Sequence, residues 1–408
     1  MKSRLLCLGL LLFYLVIGCN GTANEDLEVV QTPGVSADEI RLGSSLALSG
    51  HASFLGTQTL HGALCYVRAV NEAGGVHGRK ITVVDYDDGY DPPRCLENTQ
   101  RLIAEDQVFA LFCYVGTPTS VKIMPLVQEA RIPLVGLFTG AQILRNPFQR
   151  YIINIRASYY EETGAVVKEL VESLALRKFA VFYQYDDYGF DGLTGTQIAL
   201  KQFGLTPVAT GSYRRGSLEV EDALARIIAS KAEVVIMIGT YEPCAKFIRL
   251  AKSRGYQPIF HCVSFVGADE LVKKLGTAGE GVIITQVVPP PTETLLLPAA
   301  EEYTRLMARF FPDDEPNFVG FESYLNAKVM VEGLRRAGRD LKREKFIDAL
   351  ESIENFSLGI GNPLNFSSQD HQGLDKVYFT QVHEGKLVLV TRAAAMEVER
   401  AKRSGRNK

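Results

Sequence analysis

The sequence predicts an α/β protein built as two doubly wound lobes. Three observations predict it. Short apolar runs of strand type alternate with segments of helical spacing, and the alternation runs once and then restarts. Runs such as Val234-Val235-Ile236-Met237-Ile238 are apolar throughout, as parallel strands covered on both faces are. The chain has 408 residues, 46% hydrophobic and 22% charged, which suits two or three ordinary domains with a large core. The composition excludes a disordered, collagen-like or coiled-coil chain. A formal charge of −3 argues against nucleic-acid binding.

The elements follow in order. Residues 40–48 form a strand that ends at Ser49-Gly50. Residues 59–73 put Leu60, Leu64, Val67 and Val70 on one helical face, and Gly74-Gly75 stops that helix. A strand at 80–86 leads to Asp91, a helix cap with Pro92 in the first turn, and the helix runs to about Glu105. Residues 108–113, 133–136 and 151–154 are strands, with a helix at 117–130. The second run places helices at 160–174, 189–203, 219–230 and 243–254. Its strands are 178–183, 206–212, 234–238, 259–264 and 281–287. Pro289-Pro290-Pro291 breaks the run, and helices follow at 299–311, 319–337 and 344–352. Residues 359–390 read as strands and turns, with a hairpin turn at 383–386. Residues 393–408 form a basic, helix-prone tail.

The N-terminus sets the expected compartment. Lys2 and Arg4 precede an apolar run from Leu5 to Gly18, 14 residues and short for a membrane span. Residues 1–18 therefore read as a secretory signal, the alternative being an uncleaved anchor or an ordinary signal with a chance Cys. The ending Leu15-Val16-Ile17-Gly18-Cys19 resembles a bacterial lipobox. Cleavage before Cys19 and lipid attachment to it would leave a periplasmic body on a polar tether, 19–36, touching the membrane only through the lipid.

Five further cysteines remain: Cys65, Cys95, Cys113, Cys244 and Cys262. A helix that runs back beside its own sheet could bring Cys95 to Cys113, and Cys244 to Cys262 one unit later. The expectation is a Cys95–Cys113 disulfide. Buried thiols acting as small apolar residues are the alternative.

No phosphate-binding loop, dinucleotide fingerprint, nucleophile elbow or helical metal-ligand pair of histidines occurs. Neither a cofactor nor a metal is expected. The acids Asp85, Asp87, Asp88 and Asp91 suit turns and caps better than a Ca²⁺ site.

The informative residues follow predicted parallel strands, where open α/β sheets bind ligands. Tyr114-Val115-Gly116-Thr117-Pro118-Thr119-Ser120 opens a helix, and Gly136-Leu137-Phe138-Thr139-Gly140 follows the next strand. Exposed N–H groups and hydroxyls there suit a carboxylate, or plain capping. In the second run, Tyr188, Tyr241 with Glu242, and Ser264 with Phe265 follow strands. Their aromatic rings can line a pocket.

These pieces together resemble a known family. Ile40-Arg41-Leu42-Gly43, Gly74-Gly75-Val76-His77-Gly78-Arg79-Lys80, Asp87-Asp88-Gly89-Tyr90-Asp91-Pro92, Asp187-Tyr188-Gly189 and Asp370-His371-Gln372-Gly373 occur behind a lipobox. In that order and spacing they are similar to the type I periplasmic binding proteins of branched-chain amino acid transporters. The resemblance implies two lobes joined by three crossover strands, near Arg156, near 287–289 and near 355–358. Lobe 1 would take 37–156 and 287–355, and lobe 2 would take 157–286 and 356–392. It implies a ligand carboxylate on Gly116, Thr117, Thr119, Phe138, Thr139 and Gly140, covered by Tyr188 and Tyr241. Leucine-type members place an acid after a second-lobe strand for the ligand ammonium. Here that place reads Val263-Ser264-Phe265, and Glu242 is offset.

The expected function is a monomeric receptor. It would trap a branched-chain amino acid, an amide or urea, or a carboxylic or aromatic acid, and deliver it to ABC permease subunits. A sensing lipoprotein of the same fold is the alternative, and an enzyme is not expected.

Overall fold

The computed structural model describes residues 32–390. The signal stretch, Cys19 and the 393–408 tail lie outside the described residues. The first run contains β1 (Glu39–Leu46), α1 (Ser53–Glu72), β2 (Lys80–Asp87), α2 (Pro92–Ala104), β3 (Ala110–Phe112), α3 (Thr117–Glu129), β4 (Leu134–Val135) and β5 (Ile152–Ile153). The second contains α4 (Tyr159–Leu174), β6 (Phe179–Gln184), α5 (Asp187–Lys201), β7 (Ala209–Tyr213), α6 (Glu221–Ala229) and β8 (Val234–Ile238). It continues through α7 (Tyr241–Ser253), β9 (Ile259–Cys262), α8 (Ala268–Leu275) and β10 (Ile283–Gln286). The chain ends with α9 (Pro298–Phe310), α10 (Phe318–Ala337), α11 (Arg343–Glu351), β11 (Phe356–Ser357), β12 (Pro363–Leu364), β13 (Tyr378–His383) and β14 (Lys386–Leu389). Among the described residues no helix is long and apolar enough to cross a membrane.

The two runs build two separate sheets. The first has order β2-β1-β3-β4-β5, with every neighbouring pair parallel. The second has order β14-β13-β10-β9-β8-β6-β7 and is parallel from β7 to β10; β13 and β14 join antiparallel. In each sheet the first strand of the run lies between the second and the third. The strand order therefore reverses between β1 and β3, and again between β6 and β8. A crevice opens beyond the carboxyl ends of the strands at such a reversal.

Local chemistry accounts for many of the boundaries. The Asp91 side chain accepts the Arg94 N–H at 3.0 Å and caps α2, whose first residue is Pro92. Ser158 and Glu161 form a reciprocal capping box at the start of α4. Glu384 and Gly385, both at positive φ, make a two-residue turn between the paired His383 and Lys386. Helix α1 starts six residues before the position expected from its apolar face. Its N-cap is Ala52, which supplies no side-chain bond and so no sequence signal.

Two expectations need correction. The third crossing does not fall near 355–358. Ile353, Leu358, Ile360, Leu364, Phe366 and Leu374 pack in the first-lobe core with Tyr303, Phe346 and Leu350. Residues 371–373 run beside Asn154, whose N–H and carbonyl bond His371 and Gly373 at 2.8 and 2.9 Å. The chain joins the second sheet only at Tyr378. A two-stranded β11–β12 unit thus belongs to lobe 1, which periodicity could not assign because such short strands fit either core.

The Cys95–Cys113 disulfide is also absent: both are free, buried thiols. Cys95 lies with Ser45, Asp88 and Thr99 on the α2 side of the first sheet. Cys113 faces Ser323 and Asn326 of α10 on the other side. The sheet separates them, and side chains pointing apart cannot be bridged. Cys244 and Cys262 lie against each other in the second-lobe core, also as free thiols. Protein unfolded without reductant should therefore take up alkylating reagent at both Cys95 and Cys113. A linked Cys95–Cys113 peptide in non-reducing mass mapping would contradict this arrangement.

Candidate functional site

The two crevices face each other, and the expected residues mostly meet there. After β3 the chain turns at Gly116, with φ +97°. A Cβ at this position would sit 2.1 Å from the Tyr90 ring, so only glycine fits the conformation and the space. Gly116 is the N-cap of α3 and has no side chain to cap it. The first-turn N–H groups of Thr117 and Thr119 thus stand at a helix N-terminus, where an anion is favoured. Backbone bonds from Gly116 N–H to the Phe138 carbonyl (3.1 Å) and from Phe138 N–H to the Tyr114 carbonyl (2.8 Å) lock this loop to the next. The Thr117 and Thr139 hydroxyls meet at 2.7 Å. Thr119 behaves differently: its hydroxyl turns back to the Val115 and Gly116 carbonyls. Gly140 holds its place because a Cβ would meet Tyr159 at 2.7 Å.

From the second lobe come Tyr159, Tyr188 and Phe265. They join two first-lobe rings, Tyr90 and Phe138, in one buried cluster. Phe265 lies 4.7 Å from Tyr188, 5.4 Å from Phe138, 6.0 Å from Tyr90 and 6.4 Å from Tyr159, centroid to centroid. Asp186 caps α5 by accepting the Tyr188 N–H at 3.2 Å. Four polar atoms here are buried and make no hydrogen bond of ordinary geometry: His51 Nε2, Tyr90 Oη, Tyr159 Oη and Thr240 Oγ1. Burial and the nearby Arg215 guanidinium push the His51 imidazole pKa down.

Tyr241 and Glu242 sit further out. They line an open cavity of about 440 Å³ with Leu48, His51, Phe54 and Lys274. The Tyr241 ring is edge-on to Phe54 at 6.1 Å. Glu242 is paired with Lys274 at 2.7 Å. It belongs to the mouth and does not replace an acid beside Ser264.

An acid does reach Ser264, from α4. Glu162 Oε1 accepts the Ser264 hydroxyl at 2.8 Å, and Oε2 accepts the Ser264 N–H at 2.8 Å and the Thr285 hydroxyl at 2.6 Å. Arg156, 1% exposed, donates Nη2 to Glu162 Oε1 at 2.8 Å and to the Ser264 hydroxyl. Its Nη1 meets Glu322 of α10 at 3.4 Å. Burial works against the Arg156 charge, yet Glu322 and Glu162 together hold its pKa above the ordinary value. Reading along the chain marked Arg156 only as a boundary and missed Glu162, Glu322, Tyr90 and Tyr159. Two weak signals were present: Tyr90 between Gly89 and Asp91 in a turn, and Tyr159 at a capping box. The acids Asp87 and Asp88 serve the β1–α1 and β2–α2 loops, accepting Leu48, Ser49, Gly89 and Tyr90 N–H groups. Among the described residues no group of three or more His, Cys, Asp or Glu is placed to hold a metal.

Comparison with known proteins agrees with this architecture. The periplasmic binding protein family matches residues 39–386. The chain belongs to that family. It is similar to Leu/Ile/Val-binding protein homolog 7 of Brucella suis, 25% identical over 379 residues, covering 88% of this chain and 93% of that protein. Among solved structures, a possible leucine/isoleucine/valine-binding protein from Rhodopirellula baltica SH 1 superposes with a TM-score of 0.84. It is 33% identical, covering 90% of this chain and all of that one. A fatty acid ABC transporter substrate-binding protein from Thermomonospora curvata shares the fold, with a TM-score of 0.81, 24% identity, and coverage of 90% and 96%. This periplasmic binding protein is a solute-binding receptor and not an enzyme.

Burial raises the Glu322 carboxyl to about 7, with Arg156 pulling it down and Glu162 pushing it up. The folded protein then keeps a proton that the unfolded chain releases near the ordinary value of 4.5. Stability should fall as pH rises from that value to about 7, by on the order of 1–3 kcal/mol from this group. Glu322→Gln should remove that share of the fall, so that the variant gains on the wild type between pH 5 and pH 8. Urea unfolding at both pH values checks this, and equal slopes would contradict it.

Proposed function

We propose that this periplasmic binding protein traps a small polar organic ligand bearing a carboxylate or amide between its lobes. We further propose that it presents the ligand to the permease subunits of an ABC importer. The observation that carries the reading is the uncapped N-terminus of α3, set among the Thr117 and Thr139 hydroxyls and close to the buried Tyr159 hydroxyl. A carboxylate or amide oxygen suits that group of donors. Gly116, Thr117, Thr119, Phe138, Thr139 and Gly140 are the proposed first-lobe contacts, Thr119 through its N–H. Tyr188, Phe265 and Ser264 close the site from the second lobe, and Tyr241 and Glu242 guard the mouth. Buried hydroxyls with poor hydrogen-bond geometry cost free energy that a bound polar group recovers.

The names of the relatives support the solute class in outline: Leu/Ile/Val-binding in one, fatty acid in another. Lobe closure on a ligand would be the event that the permease reads. In this proposal the receptor acts as a monomer, periplasmic and lipid-anchored through Cys19.

A thermal-shift screen tests the trap. Protein unfolded and refolded to strip carried-over ligand would meet branched-chain amino acids, short amides, urea, and aliphatic and aromatic acids. A true ligand at 100 times its dissociation constant should stabilise by about 2.7 kcal/mol. No shift with any carboxylate or amide would overturn the reading. Changing Thr117→Val together with Thr139→Val should weaken the hit by about 1–3 kcal/mol. Unchanged affinity in calorimetry would remove these hydroxyls from the site.

A further inference from the structure

The charged groups held between the lobes leave little for a ligand cation. Glu162 receives four donors at 2.6–2.8 Å, two on each oxygen, which fills a carboxylate. Glu322 has Arg156 as its ion-pair partner, with contacts of 3.4 and 3.5 Å. Asp186 pairs with Arg215 at 3.1 Å, and Glu242 with Lys274 at 2.7 Å. Asp191 accepts the Gln142 N–H at 2.9 Å and feels the charge of Arg145. Arg145 in turn donates to the Arg156 carbonyl at 3.2 Å and feels the Arg156 charge, so a second cation adds to the positive field. The Arg156 guanidinium carbon lies 5.6 Å from the Phe138 ring centre and 5.5 Å from that of Tyr159. It borders the ring cluster on that side, and Arg215, paired with Asp186, borders it at Tyr90, 5.6 Å from the ring centre.

An ammonium group entering that cluster would meet a guanidinium whose carboxylates are already engaged. A buried charge without a partner of its own is strongly disfavoured. A carboxylate would meet hydroxyls, helix N–H groups and a nearby positive field. We propose that Arg156 makes the cleft selective for small carboxylates that carry no ammonium group, by taking up Glu162 and Glu322 itself. Arg156 is here a specificity-determining residue, and the inference rests on the carboxylate-trapping reading above.

The test uses matched pairs that differ by the ammonium alone: leucine against 4-methylpentanoate, and phenylalanine against 3-phenylpropanoate. Calorimetry at pH 8, where Glu322 has given up its proton, on the stripped full-length mature protein should show the acid without nitrogen binding at least about tenfold tighter in one pair or both. In Arg156→Gln/Glu162→Gln, Glu322 loses its ion-pair partner, and the preference should shrink by about tenfold or reverse. Arg156→Lys keeps a cation there and should keep the preference. Equal or tighter binding of the amino acid by the wild type would overturn the inference and leave the carboxylate reading intact. An unchanged ratio in a folded double variant would also overturn it. If the wild type binds neither member of either pair, the carboxylate reading itself fails, and this inference with it. The wild-type comparison decides even if the double variant does not fold.

Discussion

A guanidinium cut off from water needs partners for its charge and its N–H groups, and Arg156 obtains two carboxylates, one from each lobe. It stands on the first crossing between the sheets. Glu162 comes from the first helix of lobe 2, and Glu322 from the long α10 of lobe 1. Removing one member of such a group strands the others, at about 3–5 kcal/mol in comparable cases. The crossing is held further by Arg145, whose Nε donates to Gln372, and by Gln372, whose amide donates to Glu161 of the α4 capping box. The third crossing runs beside the first through the Asn154 bonds. The polar lattice at the crossings therefore ties the start of lobe 2 to the end of lobe 1.

The ring cluster sits on that frame. Five aromatic side chains from two lobes exclude water where the switch points of the two sheets face each other. Ring pairs at 4.7–6.4 Å add roughly 0.5–1.5 kcal/mol each beyond their burial. Against this stand the hydroxyls of Tyr90, Tyr159 and Thr240, buried with no hydrogen bond of ordinary geometry. A seam with favourable apolar contacts and poorly satisfied polar groups is one whose joined state a polar ligand can stabilise. A ligand shifts an equilibrium only by its differential affinity for the two states, and these atoms are where that difference arises.

Much of the fold was legible along the chain. Both β/α runs, the α2 cap at Asp91, the α4 start near Tyr160 and the 383–386 turn are local features, written in neighbouring residues. So were the two loops at Gly116 and Thr139, because small and hydroxyl residues after apolar strands mark strand ends. The errors were of another kind. The helix Ala268–Leu275 was missed; it opens on Gly267 with no side-chain cap. The β11–β12 unit was given to the wrong lobe, because a short strand carries no sign of which core it joins. Cys95 and Cys113 were paired because proximity along a β/α unit says nothing about which face of the sheet each side chain takes.

The sequence alone therefore determined the alternation of elements, the two doubly wound lobes, the glycines of the strand-end loops and the absence of metal-binding or nucleotide-binding motifs. Each of these depends on residues within about ten positions of one another. Only the tertiary structure decided the charges of the cleft. Arg156, Glu162, Ser264 and Glu322 are separated by as many as 166 positions, and they meet because two sheets and α10 converge at the crossings. Burial then ties each charge to the others, since a buried ion must find its partner in space, wherever that partner lies in the chain.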